Sequence, residues 1–483
     1  MLNSVDFGGR PFHFIGIGGI GMSALAHVLN KRKLPVSGSD LSLSHITQRL
    51  QEQGVHIFWH QDAANLENCE AEALPQVICS TAINPANAEY QAALTLGCPI
   101  FHRSDLLAAL MQEYQGIAVA GTHGKTTTSS MIGYLLLQAG LDPTIVVGGE
   151  VKAWEGNARV GQGSYFVAEA DESDGSLVKF SPHLGVITNI ELDHPDHYTT
   201  LEQVIETFQT FAQQCQVVVG CIDCENVRRS LQPTITYSLN PALKADYTVT
   251  SVSYQADCTV AEVWERGERL GTLTLALLGP HNLSNALAAI AVGRFVGLEF
   301  DAIASILITF EGARRRFEHR GEYHHILFID DYAHHPSEIQ ATLRAARLSA
   351  SVSETEQRRV VAVFQPHRYS RTQTFLAEFA QAFGDADLVI ATDIYSAGEP
   401  IGSITGVQVA TAIAAHHPHV VYQPTLQAVS AYLMETLLPG DLVLCLGAGN
   451  LNRIIPDLAA YYQQVEQSQR VDSPSDAQVS PVR

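Results

Sequence analysis

Basic residues are scarce in this 483-residue chain. Only 29 Lys and Arg stand against 50 Asp and Glu, for a formal net charge of −21. A surplus of that sign repels phosphate backbones and anionic lipid headgroups, which argues against general nucleic-acid or membrane-surface binding. It leaves room for a local group of cations around a small anion. Long hydrophobic runs are also missing: no stretch of 18 or more apolar residues occurs, so no membrane-crossing helix and no membrane insertion are expected. The first residues show no basic segment leading into an apolar one, and the protein is read as unsecreted and cytoplasmic. The eight cysteines are scattered. Cys221 and Cys224 form the single C-x-x-C, with no second pair at zinc-binding spacing, so ordinary reduced thiols are expected.

What the chain does contain is an alternation of short apolar runs with helix-like stretches. The runs "FHFIGIG", "QVICSTA", "GIAVAGT", "YFVAEA", "LGVITNI", "ILFIDDY", "VVAVFQP", "DLVIATDIY" and "DLVLCLGAG" mostly end in Gly, Ser, Thr, Asp or His. That pattern is the mark of an α/β protein whose ligands gather at the carboxyl ends of parallel strands. At this length about three domains are expected. The helix-like "SDLLAALMQEY" before "GIAVAGTHGK" and the charged stretch "EGARRRFEHRGEY" between two structured regions place them at 1–112, 113–322 and 323–466, followed by a polar, disordered tail at 467–483. Residues 215–275 read as a more irregular, β-rich stretch, expected to be an antiparallel insertion.

Two glycine loops carry the chemistry. In "HFIGIGGIGMSALA", Gly16, Gly18 and Gly21 make G-x-G-x-x-G between a strand-like run and a helix-like one, and Asp40 follows a second strand-like run. This is the arrangement that sets a pyrophosphate on a helix N-terminus, with the acid near a ribose, and a nicotinamide dehydrogenase is one reading of it. The second loop, in "GIAVAGTHGKTTTSSMIGYLLLQAG", weakens that reading. A strand-like run ends at Gly121, and Gly124-Lys125-Thr126 opens a helix whose apolar face is Met131, Ile132, Leu135 and Leu136. Lys125 is placed to reach β- and γ-phosphates and the Thr126 hydroxyl to meet Mg²⁺, although Val119 stands where the longer phosphate-loop form has its first glycine. Two acidic clusters follow strand-like runs. One holds Glu169, Asp171, Glu172 and Asp174; the other holds Glu191, Asp193, His194, Asp196 and His197. Hard oxygen donors suit Mg²⁺, and a histidine is a less usual addition.

Taken in order, "GTHGKTTT", "EADESD", "TNIELDHPDHY", "GPHNLSNALAA", "GARRRFE", "DDYAHHP" and "QPHRYSRT", preceded by "GIGGIGMSALA", resemble the Mur ligases over about residues 10–465. The resemblance implies three α/β domains: a Rossmann-like N-terminal domain, a central P-loop ATPase-like domain and a Rossmann-like C-terminal domain. It implies that Gly16, Gly18, Gly19 and Gly21 hold UDP, with Asp40, Ser80, Thr81 and Ala82 nearby. Gly121, Thr122, His123, Gly124, Lys125, Thr126 and Thr127 would hold the ATP phosphates, and Thr126, Glu169 and His194 would hold Mg²⁺. Asn282 would face adenine, Arg316 the phosphates and Asp331 the ribose, with His334 beside the nucleotide. His367, Arg368 and Arg371 would face the substrate; for His281, His335 and His367 structural hydrogen bonding is the alternative.

The reaction implied is ATP-driven amide formation between the lactyl carboxylate of UDP-N-acetylmuramate and L-alanine, through an acyl phosphate. That intermediate hydrolyses in water, so closure of the domains around it is expected. Monomers or a weak homodimer are expected. Several sister ligases carry a CO₂-modified lysine shortly after the histidine of the "DH" motif. This chain has no lysine between Lys179 and Lys244, so none is expected here. A related ligase that attaches a whole peptide to the same sugar nucleotide, and a non-catalytic ATP-binding regulator, are the other readings.

Overall fold

The computed structural model describes residues 4–67, 74–351 and 357–472, with side chains described up to 468. All nine apolar runs quoted above contain strands, and the strands form three sheets. The first sheet holds β1 (Phe12–Ile15), β2 (Val36–Ser39), β3 (His56–Phe58), β4 (Gln76–Cys79) and β5 (Ile100–His102), in the order β3-β2-β1-β4-β5. Every pairing in it is parallel. Between β1 and β4 the order reverses, which opens a crevice at the strands' carboxyl ends. Phe12 and Phe14 of β1 are fully buried. They lie in one core with Met22, Leu25, Ala26 and Leu29 of helix Ile20–Lys31, a stripe at helical spacing.

The second sheet has ten strands: β6 (Gln115–Ala120), β7 (Thr144–Val151), β8 (Gly156–Arg159), β9 (Tyr165–Glu169), β10 (Leu184–Ile187), β11 (Val217–Cys221), β12 (Ile235–Ser238), β13 (Tyr247–Tyr254), β14 (Thr259–Glu265) and β15 (Glu268–Leu275). The central strands β10, β6, β9 and β7 are parallel neighbours. The expected antiparallel insertion at 215–275 takes a different form. Strands β11, β12 and β13 continue the parallel sheet from β10, and β14 pairs antiparallel with β15. The first residues of β13, Tyr247 and Thr248, pair parallel with Tyr237 and Ser238 of β12.

The third sheet holds β16 (Glu318–Tyr323), β17 (Ile326–Asp331), β18 (Arg359–Phe364), β19 (Leu388–Ala391), β20 (Val420–Tyr422) and β21 (Asp441–Leu446), in the order β16-β17-β21-β18-β19-β20. Only β16 is antiparallel to its neighbour. The described residues divide into two compact units, one within 1–253 and 259–314, the other within 315–483 together with 254–258. The division expected at 322 falls inside β16, which pairs with β17 from Glu318 to Tyr323. The terminal helix runs Ile454–Asp472, past the expected start of the tail at 467; the rest of that tail lies outside the described residues. Among the described residues no helix is long and apolar enough to cross a membrane, and the described cysteines are free thiols.

Candidate active site

The second glycine loop leaves β6 and enters helix Lys125–Gln138, and the backbone there is built for glycine. Gly121 has φ +134° and Gly124 φ +82°. A methyl group on Gly121 would stand 1.9 Å from Thr188 Oγ1. The loop is clamped by residues 188–191, which follow β10. Thr188 Oγ1 donates to His123 O (2.6 Å), His123 N donates to Asn189 Oδ1 (2.8 Å), and Glu191 N donates to Thr122 Oγ1 (2.8 Å). The helix has no side-chain cap at its N-terminus, so its first amides remain turned toward whatever anion enters the loop.

Lys125 is half-buried with its ammonium folded back into the loop. It donates to Gly121 O (2.7 Å), Thr122 O (3.1 Å) and Glu172, which is 2 % exposed. Burial works against the lysine's charge, but Glu172, Asp171 and Glu169 outweigh it and hold its pKa above the ordinary range. Burial pushes Glu172 up to about 7, opposed by Lys125 and reinforced by Asp171. Asp171 goes the other way. Burial raises it, yet Lys125, Arg103 and His194 hold it well below the usual carboxylate range.

Ligating atoms of Asp171, Glu172 and His194 lie within 4.8 Å of one another. Glu172 Oε2 is buried and lacks a hydrogen bond, although Lys125 Nζ is 2.9 Å away. His194 sits at φ +54°, an uncommon backbone for a residue with a side chain, and strain of this kind gathers at functional sites. Two carboxylates and a histidine facing one another fit a divalent cation. Thr126 and Glu169 meet separately: Thr126 Oγ1 donates to Glu169 Oε2 (2.8 Å), which also accepts Gly148 N (2.8 Å). Thr126 and Glu169 are thus brought together, while His194 is grouped with Asp171 and Glu172. Thr127 is buried on the same helix. Asn282, in the first turn of helix Pro280–Phe295, donates to Leu278 O (2.9 Å), and its neighbour Asn285 accepts from Thr128 Oγ1 (3.1 Å).

The first glycine loop satisfies its own amides. Gly16 N and Ile17 N donate to Ser39 O, Gly19 N to Gly16 O, and Gly18 N to Asp40 Oδ2 at 2.8 Å. Asp40 Oδ1 accepts Ser42 N. Asp40 therefore holds the loop's shape, and what remains for a ligand is the first turn of helix Ile20–Lys31, which has no side-chain cap and no acidic residue. The segment Ser80, Thr81, Ala82 approaches through Ile83, whose Cδ1 lies 3.5 Å from where a Gly16 methyl would be.

In the second unit, cations converge at the carboxyl ends of β17 and β18. The Arg315 and Arg316 guanidinium groups lie over Tyr332 at 4.9 and 5.1 Å. Asp331, 6 % exposed, accepts Phe317 N (2.6 Å) and Ala333 N (2.7 Å), and burial pushes it up to about 6 against Arg316 and those amides. These amides fix the carboxylate at the turn after β17, and Oδ2 keeps a lone pair that a ribose hydroxyl could use. The His334 and His367 rings are 5.7 Å apart, and His367 stacks on Tyr395 at 5.8 Å. Burial pushes His367 down to about 3, helped by His334, Arg371 and Arg368. Arg371 Nη1 lies 3.4 Å from His367 Nδ1, and Arg368 has φ +69°. His335 caps helix Pro336–Ser349 and packs on Phe375, which is the structural role.

Three family models match in register with these sites: "Mur ligase family, catalytic domain" over residues 11–115, "Mur ligase middle domain" over 119–293, and "Mur ligase, glutamate ligase domain" over 315–449. The chain belongs to the Mur ligase family. Similar relatives include the UDP-N-acetylmuramate–L-alanine ligases of Nostoc punctiforme, 67 % identical over 95 % of this chain and 98 % of theirs, and of Microcystis aeruginosa, 59 % identical over 96 % and 98 %. Among solved structures, the UDP-N-acetylmuramate-alanine ligase of Thermotoga maritima aligns at TM-score 0.80 and 28 % identity, over 96 % of this chain and all of that one. A murein peptide ligase of Psychrobacter arcticus shares the fold at TM-score 0.69 and 23 % identity, over 94 % and 99 %.

In this Mur ligase the sequence marks Asp171 and Glu172 as members of an acidic cluster without singling them out as ligands, and it does not mark Arg103. "EADESDGS" signalled the acids. Arg103, in "FHRSDLL", resembles any helix-opening cation until the fold brings it to Asp171, with Nη2 3.1 Å from Oδ2.

Proposed function

We infer that this Mur ligase joins L-alanine to the lactyl carboxylate of UDP-N-acetylmuramate with ATP as the energy source. The observation that carries the reading is the Lys125 loop set against Glu172 and Asp171, in a chain alike over nearly its full length to relatives of that name. The carboxylate oxygen attacks the γ-phosphorus of ATP, the bond to the β-phosphate oxygen breaks, and an acyl phosphate and ADP form. The alanine amine then attacks the acyl carbon, phosphate leaves, and the amine gives up a proton. In the first step two anions must meet, so the main task is holding positive charge where negative charge gathers.

Lys125, kept protonated by its acidic neighbours, does this for the phosphates together with the amides that open its helix. Arg316 is assigned to the phosphates as well, with Asp331 fixing its turn and His334 assigned to the nucleotide. Asn282 is assigned to the adenine, and His367, Arg368 and Arg371 to the substrate side. The first-turn amides after Gly19 are assigned to the UDP diphosphate, with Ser80 to Ala82 alongside. Mg²⁺, when bound, neutralises phosphoryl oxygens; Asp171, Glu172 and His194 are the residues that would hold it, with Thr126 and Glu169 as a second pair. The three-domain division and a monomer or weak homodimer are part of this reading.

The test is phosphate release with ATP, UDP-N-acetylmuramate and, separately, L-alanine, glycine, L-serine or a tripeptide. Release that depends on alanine is expected. Release with the tripeptide alone would replace this reading by the peptide-transferring one.

A further inference from the structure

Arg103 opens helix Arg103–Met111 at the end of β5, and its guanidinium faces two ways. One edge lies along the first turn of helix Ile20–Lys31: Arg103 Nη1 is 3.4 Å from where a methyl on Gly21 would stand. That turn is the only part of the first glycine loop whose amides are not already committed to Ser39, Gly16 or Asp40. The other edge reaches the acidic loop after β9. Nη2 is 3.1 Å from Asp171 Oδ2 and 3.7 Å from Asp174 Oδ2. Beside it, His102 Nε2 and Asp174 Oδ2 face each other at 3.4 Å, both buried and neither hydrogen-bonded. Asp171 also belongs to the Asp171, Glu172, His194 group. A single side chain therefore spans the helix N-terminus of the first loop and the carboxylates of the second.

We propose that Arg103 is a positioning residue that couples the two loops: it offers the sugar-nucleotide diphosphate a cation at Gly21 and, through the same guanidinium, sets Asp171. This rests on the function inferred above. A divalent cation arriving with the nucleotide neutralises Asp171 and frees the Nη2 edge, so a diphosphate then meets an arginine with fewer competing carboxylates. The coupling is reciprocal, so each ligand tightens the other. A planar fork with two usable edges is what this needs, and a lysine supplies only a point charge.

The experiment is calorimetric titration of UDP-N-acetylmuramate into the full chain, with and without saturating Mg²⁺ and the non-hydrolysable β,γ-imido analogue of ATP, for the wild type, Arg103→Ala and Arg103→Lys. In the wild type, Mg²⁺ and the analogue should tighten binding by about fivefold or more, the lower end of usual coupling. Arg103→Ala should weaken sugar-nucleotide binding by about tenfold or more and bring the ratio close to one. Arg103→Lys should recover much of the binding and little of the coupling. A wild type that does not bind UDP-N-acetylmuramate refutes the function itself. A wild type that binds, with Arg103→Ala or Arg103→Lys matching it in both affinity and ratio, overturns this proposal alone. Should the alanine variant fail to fold, the lysine variant decides the coupling by itself.

Discussion

Lys125 and Glu172 form a largely buried pair in which each side chain makes the other tolerable: the lysine side chain is 12 % exposed and the glutamate side chain 2 %. Removing only the cation strands a carboxylate in a site that already pushes it up to about 7, whereas removing both leaves two neutral groups. Lys125→Met should therefore lower activity by at least about a hundredfold and lower stability as well. The double variant Lys125→Met with Glu172→Gln should regain stability without regaining activity. Chemical denaturation checks the first half, and equal stability of the single and double variants would refute it. His367 makes a pH prediction. Its pKa is pushed down from 6.5 to about 3 in the folded chain, chiefly by burial. Between those values the unfolded chain takes up a proton that the folded chain refuses, so stability is present above pH 6.5 and drains away as pH falls toward 3. His367→Phe keeps a ring against Tyr395 and removes the titration. From pH 6.5 to pH 5 it should lose about 1–2 kcal/mol less than the wild type, read from unfolding curves at each pH.

The strand–loop–helix around Gly121 combines a left-handed backbone with a close approach, and the two effects can be separated. Gly121→Ala places a methyl on Thr188 Oγ1 at φ +134°, whereas Gly140→Ala, at φ +78° after the same helix, meets nothing within 4 Å. The Gly140 change should cost about 1 kcal/mol of backbone strain. The Gly121 change should cost at least about 2 kcal/mol and abolish ATP binding, because the clamp from Thr188 to His123 must shift. Similar losses at the two positions would show that the loop relaxes freely. Elements of this kind were legible in the sequence because each is local: strand end, glycine, lysine and helix follow one another from 115 to 138. The clamp was not legible, because Asn189 lies 66 residues from His123. Nor was the extension of the second sheet. Nothing in the half-polar strand β13 says which edge it will join, and that edge appears only once β12 is in place.

Across the whole molecule, a net charge of −21 coexists with the group of Arg315, Arg316, Arg368 and Arg371 in the second unit. The composition spoke only for the average, and the motifs had to reveal the exception. Fold class and sheet content followed from the alternation of runs, since periodicity reports burial directly. The expected division at 322 cuts through β16, whose charged residues Glu318, Arg320 and Glu322 form an edge strand. One prediction belongs to the chain entire. Lysine is missing from 180 to 243, and the metal-fitting group is already made of carboxylates and a histidine. Turnover should therefore be unchanged in buffer stripped of CO₂ and bicarbonate. Activity that vanishes on stripping and returns with bicarbonate would show a carbamate at work.

The bond from Gly18 N to Asp40 reaches beyond loop geometry. In dinucleotide-binding folds the acid after the second strand is the acceptor for a ribose diol, and every cell holds a large standing pool of such dinucleotides. Here that acid already accepts two backbone amides, Gly18 N on one oxygen and Ser42 N on the other, which fix its direction and spend half of its lone pairs. The acid therefore offers a ribose diol less than an unengaged carboxylate does, so nicotinamide dinucleotides should bind the N-terminal sheet more weakly than they bind a fold whose acid is left open.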